Sequence, residues 1–208
     1  MVNAFWHHSG PIPLMIEAFL VSTSSVTLAE MGDKTQLLSL VLAAKYRKPM
    51  PIVLGILVAT LVNHALAGAV GAWIASVLGA DVLRWILGIS FIAMAAWMLI
   101  PDQFDDESVG NSNRWGIFGT TVMLFFLAEM GDKTQLATVG LAAKYVGEYF
   151  WVIVGTTLGM MLANAPVVWW GDKITKKLPI RIIHRVCAAI FLVLGLAVLF
   201  APAIQALV

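Results

Sequence analysis

The sequence predicts an all-α polytopic membrane protein with six transmembrane helices, arranged as two inverted three-helix repeats. The 208 residues are 60% hydrophobic and only 12% charged, whereas an ordinary soluble domain carries about 25% charged residues. Eight residues, EMGDKTQL, occur at 30–37 and again, letter for letter, at 129–136. Each half holds three apolar stretches. Because three is an odd number, two such repeats in series must insert with opposite orientation, as in many secondary transporters.

The apolar stretches define the spans in chain order. The first repeat, 14–100, has spans at 14–44, 52–78 and 85–100, and the second repeat, 115–207, has spans at 115–145, 150–170 and 186–207. A 31-residue helix would be about 46 Å long against a hydrocarbon core of about 30 Å, so the first span must be tilted, bent or broken. Gly32 is the expected break. Residues 101–114 are predicted to be an acidic cytoplasmic linker inside a single membrane domain, 1–208.

The basic side chains predict the orientation. Nine of the 13 Lys and Arg residues lie in loops after odd-numbered spans and two lie on the opposite side. By the positive-inside rule, loops 45–51, 101–114 and 172–185 are cytoplasmic and both termini are outside. Glu17, near the outer end of the first span, is expected to be solvated. The net charge of +1 does not suggest nucleic-acid binding, and Cys187 is expected to be a buried, inert thiol.

The charged residues of the repeated motif form the candidate site. A charge near the bilayer centre costs roughly 2.5–3.5 kcal/mol, so intramembrane Glu, Asp and Lys indicate function. Glu30 and Asp33 would share a helix face, as would Glu129 and Asp132. If the halves meet face to face, four carboxylates converge at the midplane, and they cannot all be ionised unless a divalent cation or protons compensate. A site that binds either metal or protons suits an exchanger.

The donor atoms favour a hard divalent cation such as Mn²⁺, Ca²⁺ or Mg²⁺ over Zn²⁺ or Cu⁺, because the motif contains no Cys or His. The predicted metal ligands are Glu30, Asp33, Gln36, Glu129, Asp132 and Gln135. The predicted supporting residues are Gly32, Lys34, Thr35, Gly131, Lys133 and Thr134. Each Lys follows its Glu by four residues, a favourable ion-pair spacing, so it either neutralises the empty site or is displaced by the metal. The glutamines rank above the threonines as ligands.

Other polar residues in the spans admit two interpretations. His64 is a candidate proton relay, but a packing role is favoured for it and for Asn63 and Asn164, because polar side chains often join membrane helices. Met31 and Met130 could offer a thioether to the metal, although packing is favoured.

The doubled motif resembles the Glu-x-Gly-Asp-(Lys/Arg)-(Thr/Ser) signature of the Gdt-type cation/proton antiporter family, and both copies match it fully. The resemblance implies export of divalent cations against proton entry. It assigns the metal site to the four carboxylates and a supporting role to the Lys, Thr and Gln that follow. The compact length resembles bacterial manganese exporters of the MneA type, which implies Mn²⁺ as cargo and the bacterial inner membrane as location. No cofactor is expected, because Mn²⁺ or Ca²⁺ and protons are the expected substrates. The protein is expected to lie in the lipid bilayer, and it could form a homodimer.

Three alternatives remain at this point. A Ca²⁺/H⁺ antiporter would use the same site. A passive divalent-cation channel also fits the acidic residues. An intramembrane aspartyl protease would need only Asp33 and Asp132, and the paired glutamates and lysines argue against such an enzyme.

Overall fold

The computed structural model describes residues 13–100, 116–171 and 180–205, which form eight α-helices. They are α1 (Leu14–Glu30), α2 (Lys34–Tyr46), α3 (Pro49–Val77), α4 (Ala80–Trp97), α5 (Gly116–Glu129), α6 (Lys133–Lys144), α7 (Tyr149–Trp170) and α8 (Ile180–Gln205).

The prediction of a helical membrane protein is confirmed. Helices α3, α4, α7 and α8 are each long and apolar enough to cross a bilayer, and α1 with α2 makes a fifth candidate span bent by 68°. Helix α5 is apolar but has only 14 residues, and α6 follows it after a short break. A sixth crossing by α5 and α6, and therefore the six-span inverted repeat, stays a prediction.

The first span is broken where the sequence predicts. Gly32 adopts φ +85°, and Gly131 adopts φ +77° at the same place in the second motif. These values lie in the left-handed region, which glycine reaches without the steric cost that a Cβ would impose. Each motif therefore forms a turn between two half-helices.

Each broken helix packs on a long helix of the other half: α1 lies along α7, and α3 lies along α5 and α6. The contact between α1 and α7 depends on Gly155 and Gly159. A Cβ at either position would come within 2.7 Å of a carbonyl oxygen of α1, that of Phe19 or Thr23. Small residues with this spacing let membrane helices approach closely, and the reciprocal packing brings the two turns together.

Two predicted boundaries are wrong. Helix α8 begins at Ile180 and α4 at Ala80, so 180–185 are helical rather than loop and the third span starts five residues before residue 85. Hydropathy marks where the apolar layer ends, but helical hydrogen bonding continues past it because a helix satisfies its own backbone in water or lipid. The predicted linker 101–114 and loop residues 172–179 lie outside the described residues.

Glu17 is partly exposed, at 27% of its side chain, and it also joins the two halves. The Tyr145 hydroxyl donates to Glu17 Oε1 at 3.0 Å, and Lys144 Nζ lies 3.7 Å from the same oxygen. Sequence spacing could not show this contact, since the partners are 128 positions apart. Cys187 is fully buried, as expected.

Candidate functional site

The acidic residues of each motif occupy the two sides of a helix break. Glu30 is the last residue of α1 and Asp33 caps the start of α2, while Glu129 and Asp132 hold the same positions on α5 and α6. The prediction that each pair shares one helix face is therefore wrong, because no continuous helix connects them. A carboxylate at a helix N-terminus is stabilised by the helix dipole, and the C-terminal end beside each Glu carries partial negative charge that favours a cation.

The four carboxyl groups are buried, with Glu30 and Glu129 inaccessible and Asp132 the most exposed at 5%. The lysines of the two motifs lie close to two of these groups. Lys133 Nζ lies 3.2 Å from Asp33 Oδ1, and Lys34 Nζ lies 3.5 Å from Asp132 Oδ1. Each lysine thus pairs with the aspartate of the other half. A spacing of four residues places side chains on one face only within a continuous helix. It does not indicate a Glu–Lys pair here, because the turn interrupts the helix.

The two lysines differ in exposure. The Lys133 side chain is 2% exposed and that of Lys34 is 28% exposed. The Lys133–Asp33 ion pair is therefore enclosed by protein, whereas the Lys34–Asp132 ion pair reaches the surface. Identical motifs consequently occupy unequal surroundings.

The threonines bind the glutamates across each turn. Thr35 Oγ1 donates to Glu30 Oε2 at 2.6 Å, and Thr134 Oγ1 donates to Glu129 Oε2 at 2.9 Å. The other oxygen of each glutamate, Oε1, is buried and accepts no hydrogen bond from the part of the chain that the structure describes. Burying such an oxygen is costly, so each Glu offers one acceptor that a cation or a proton could use.

The glutamines hold the backbone of the turns. Gln36 Oε1 accepts a hydrogen bond from the Gly32 amide at 2.9 Å, and Gln135 Oε1 accepts one from the Gly131 amide at 2.7 Å. Gln36 Nε2 also donates to the Ala163 carbonyl of α7. Each amide oxygen keeps a second lone pair, so this hydrogen bond does not prevent the metal binding that the sequence predicts.

The remaining candidates lie on α3 and α7. His64 is fully buried, and neither ring nitrogen makes a hydrogen bond within the described ranges. Asn63 donates to the Phe126 carbonyl, and Asn164 accepts from Ser39 and donates to the Met160 carbonyl. Asn63 therefore joins α3 to α5, and Asn164 joins α7 to α2. The bond from Asn164 to Met160 stays within α7. Among residues 13–100, 116–171 and 180–205, no three Asp, Glu, His or Cys side chains are grouped closely enough to hold a metal ion.

His184 is not among the residues that the sequence predicts for the site. Its Nε2 lies 2.8 Å from the Met31 carbonyl oxygen in the first turn, although the two residues are 153 positions apart. The only sequence signal is a histidine in a basic segment next to an apolar stretch, which is too weak to single it out.

The sequence profile of the family described as "Divalent cation/proton antiporter GDT1" matches residues 18–106 and 117–205. A Vibrio cholerae protein named "Putative manganese exporter" is 49% identical over 190 residues, covering 91% of this chain and 94% of that protein. A GDT1-like protein of Synechocystis is 26% identical over 195 residues, covering 85% and 94%. GDT1-like protein 3 of rice is 24% identical over 218 residues, covering 91% and 76%. No solved structure matches. The chain is a membrane protein that belongs to the GDT1 family of divalent cation/proton antiporters.

Proposed function

We propose that this chain exports Mn²⁺ from the bacterial cytoplasm in exchange for protons, at a site formed by both motifs. The observation that carries the proposal is the pair of buried glutamates, each with one oxygen bound by a threonine and the other, Oε1, without a hydrogen-bond partner in the described chain. Oxygen donors of this kind suit hard divalent cations. They can equally carry a proton, which the exchange requires.

The charges of the site favour a simple exchange ratio. The two ion pairs, Lys133–Asp33 and Lys34–Asp132, leave Glu30 and Glu129 as the unbalanced charges of the doubled motif. Burial penalises two uncompensated carboxylates strongly, so they are balanced either by one divalent cation or by two protons. Each species therefore excludes the other, and one Mn²⁺ would exchange for two protons without net charge movement.

The lysines define what must move when the metal binds. Each aspartate contacts a lysine through Oδ1 in this conformation, so these two oxygens become available to a metal only if the ammonium groups withdraw. Their withdrawal is favourable only when another cation replaces them, because breaking a buried ion pair leaves a charge uncompensated. Metal ligation through Oδ1 of Asp33 and Asp132 is accordingly coupled to a movement of the two lysines.

We further propose the six-span inverted topology, with repeat one at 14–100, the linker at 101–114 and repeat two at 115–207. The identical motifs, the family profile on both ranges and the reciprocal packing of broken and long helices support it. The proposed location is the bacterial inner membrane, with both termini outside. Mn²⁺ is preferred over Ca²⁺ as cargo because of the similarity to the Vibrio protein. Ca²⁺ on the same site is the alternative.

Flux measurements in proteoliposomes test the function. The purified protein is reconstituted, and Mn²⁺ movement is followed with and without an imposed pH gradient, and then with Ca²⁺ as competitor. Glu30→Gln and Glu129→Gln remove a charge each from the proposed site. Asp81→Asn is the matched control, because the Asp81 side chain is 83% exposed and lies outside the motifs.

We expect uphill Mn²⁺ movement driven by protons, lost in both glutamine variants and retained in Asp81→Asn. Mn²⁺ flux that runs only downhill and ignores pH would contradict exchange and indicate a channel. Proton-driven Ca²⁺ flux without Mn²⁺ flux would contradict the cargo and preserve the mechanism.

A further inference from the structure

We propose that His184 of α8 is a positioning residue of the first motif: it holds the carbonyl end of the Met31–Gly32 peptide, whose amide end is held by Gln36. The proposal concerns how the turn between Glu30 and Asp33 is fixed. It deepens the proposed function, on which its transport test rests, and a second measurement tests it without reference to transport.

The helix break creates the need for such a residue. In an uninterrupted helix, the Met31 carbonyl would accept a hydrogen bond from the amide four residues later, and the Gly32 amide would donate to a carbonyl four residues earlier. The extended ψ of Met31, 112°, turns this peptide out of the helix, and the left-handed φ of Gly32 completes the turn, so both partners are lost. Backbone groups in a membrane protein need replacements, because lipid supplies none.

Both replacements are present in the first motif, and they act on one planar unit. The Met31 carbonyl and the Gly32 amide belong to the same peptide group, which is rigid. His184 Nε2 donates to the carbonyl at 2.8 Å, and Gln36 Oε1 accepts from the amide at 2.9 Å. Since a carbonyl oxygen can only accept, Nε2 must carry the hydrogen. A planar group held at both ends cannot rotate, so the turn between the two acids is fixed.

The second motif is held differently. Gln135 binds the Gly131 amide, which matches Gln36. At the offset of 100 that aligns Phe91 with Phe191, the position of His184 is taken by Arg84, whose guanidinium lies 3.6 Å from Asp81. Met130 is 55% exposed, whereas Met31 is half-buried. The first turn is therefore braced by α8 through His184, whereas the second turn lies nearer the surface.

The test uses two donor-free variants, His184→Phe and His184→Leu, and one rescue variant, His184→Gln, whose amide can still donate. Arg185→Gln, the exposed neighbour on the same helix, is the control. The first readout is Mn²⁺ transport in proteoliposomes. The second is amide hydrogen exchange in the detergent-solubilised protein, comparing peptides over 28–37 with peptides over 127–136.

We expect the donor-free variants to raise KM for Mn²⁺ at least about fivefold, as loss of a buried hydrogen bond implies. The maximal rate should stay within about twofold, because His184 contacts the backbone of the turn and not one of the carboxylates. Exchange should quicken over 28–37 and stay unchanged over 127–136. His184→Gln should restore both readouts, and Arg185→Gln should match the wild type.

Wild-type KM and exchange in a folded donor-free variant would overturn the proposal. Equal defects in His184→Gln and His184→Phe would overturn it too, because ring packing rather than hydrogen bonding would then matter. If one donor-free variant fails to insert, the other decides. If the wild type does not transport Mn²⁺, the proposed function fails, and the exchange comparison alone decides the role of His184.

Discussion

Removing the Lys133 ammonium should be among the most damaging single changes in this protein. Lys133 and Asp33 are each about 2% exposed and their charged atoms are 3.2 Å apart. Loss of one partner of a buried ion pair costs about 3–5 kcal/mol, because the other charge is left uncompensated. For a chain of about 200 residues, each kcal/mol lowers Tm by roughly 2–4 °C, so Lys133→Met should lower Tm by roughly 6–20 °C.

The equivalent change in the other half provides the control. Lys34→Met removes the same group, but the Lys34 side chain is 28% exposed, so we expect a loss of at most about 2 kcal/mol. The double variant Lys133→Met with Asp33→Asn removes both charges and should recover most of the lost stability, because replacing a whole buried pair is often neutral. Thermal unfolding in detergent measures all three variants.

Two results would refute this account of the ion pair. One is a Tm for Lys133→Met within about 2 °C of the wild type, which corresponds to less than about 1 kcal/mol. The other is a double variant that is no more stable than Lys133→Met alone, since the cost would then come from lost packing of the lysine chain and not from loss of its ion pair with Asp33.

Four further predictions follow from the same structure. Thr35→Val removes the hydroxyl that holds Glu30 Oε2 at 2.6 Å and should raise KM for Mn²⁺ about fivefold or more; an unchanged KM would contradict that role. If the buried His64 relays protons, His64→Gln should abolish pH-driven Mn²⁺ flux in proteoliposomes while Mn²⁺ binding persists, and full coupling in the variant would exclude the relay. Gly159→Leu places atoms against the Thr23 carbonyl, where even a Cβ would be 2.7 Å away, and should cost about 1–3 kcal/mol in thermal unfolding; wild-type stability would show that α1 and α7 can separate freely. An imposed membrane potential should leave the exchange rate unchanged, whereas a potential-dependent rate would contradict one Mn²⁺ for two protons.

Much of the architecture could be predicted from the sequence because it depends on local chemistry. Apolar stretches predict membrane helices, since a backbone in lipid must satisfy its own hydrogen bonds. Gly32 and Gly131 predict the breaks, because each span is too long for the bilayer and glycine tolerates the left-handed backbone that a sharp turn needs. The identical motifs predict a duplicated site and the chemical class of its substrate.

Only the tertiary structure decided which side chains meet. Helix periodicity suggested Glu30 with Lys34, whereas Lys34 lies against Asp132 and Lys133 against Asp33. The tertiary structure also places Glu17 against Tyr145 and His184 against the Met31 carbonyl. The physical reason is that residue spacing encodes neighbours only within a continuous helix. Once the chain turns at glycine, partners are set by how α1 packs against α6 and α8, and the resulting contacts join residues more than 90 positions apart.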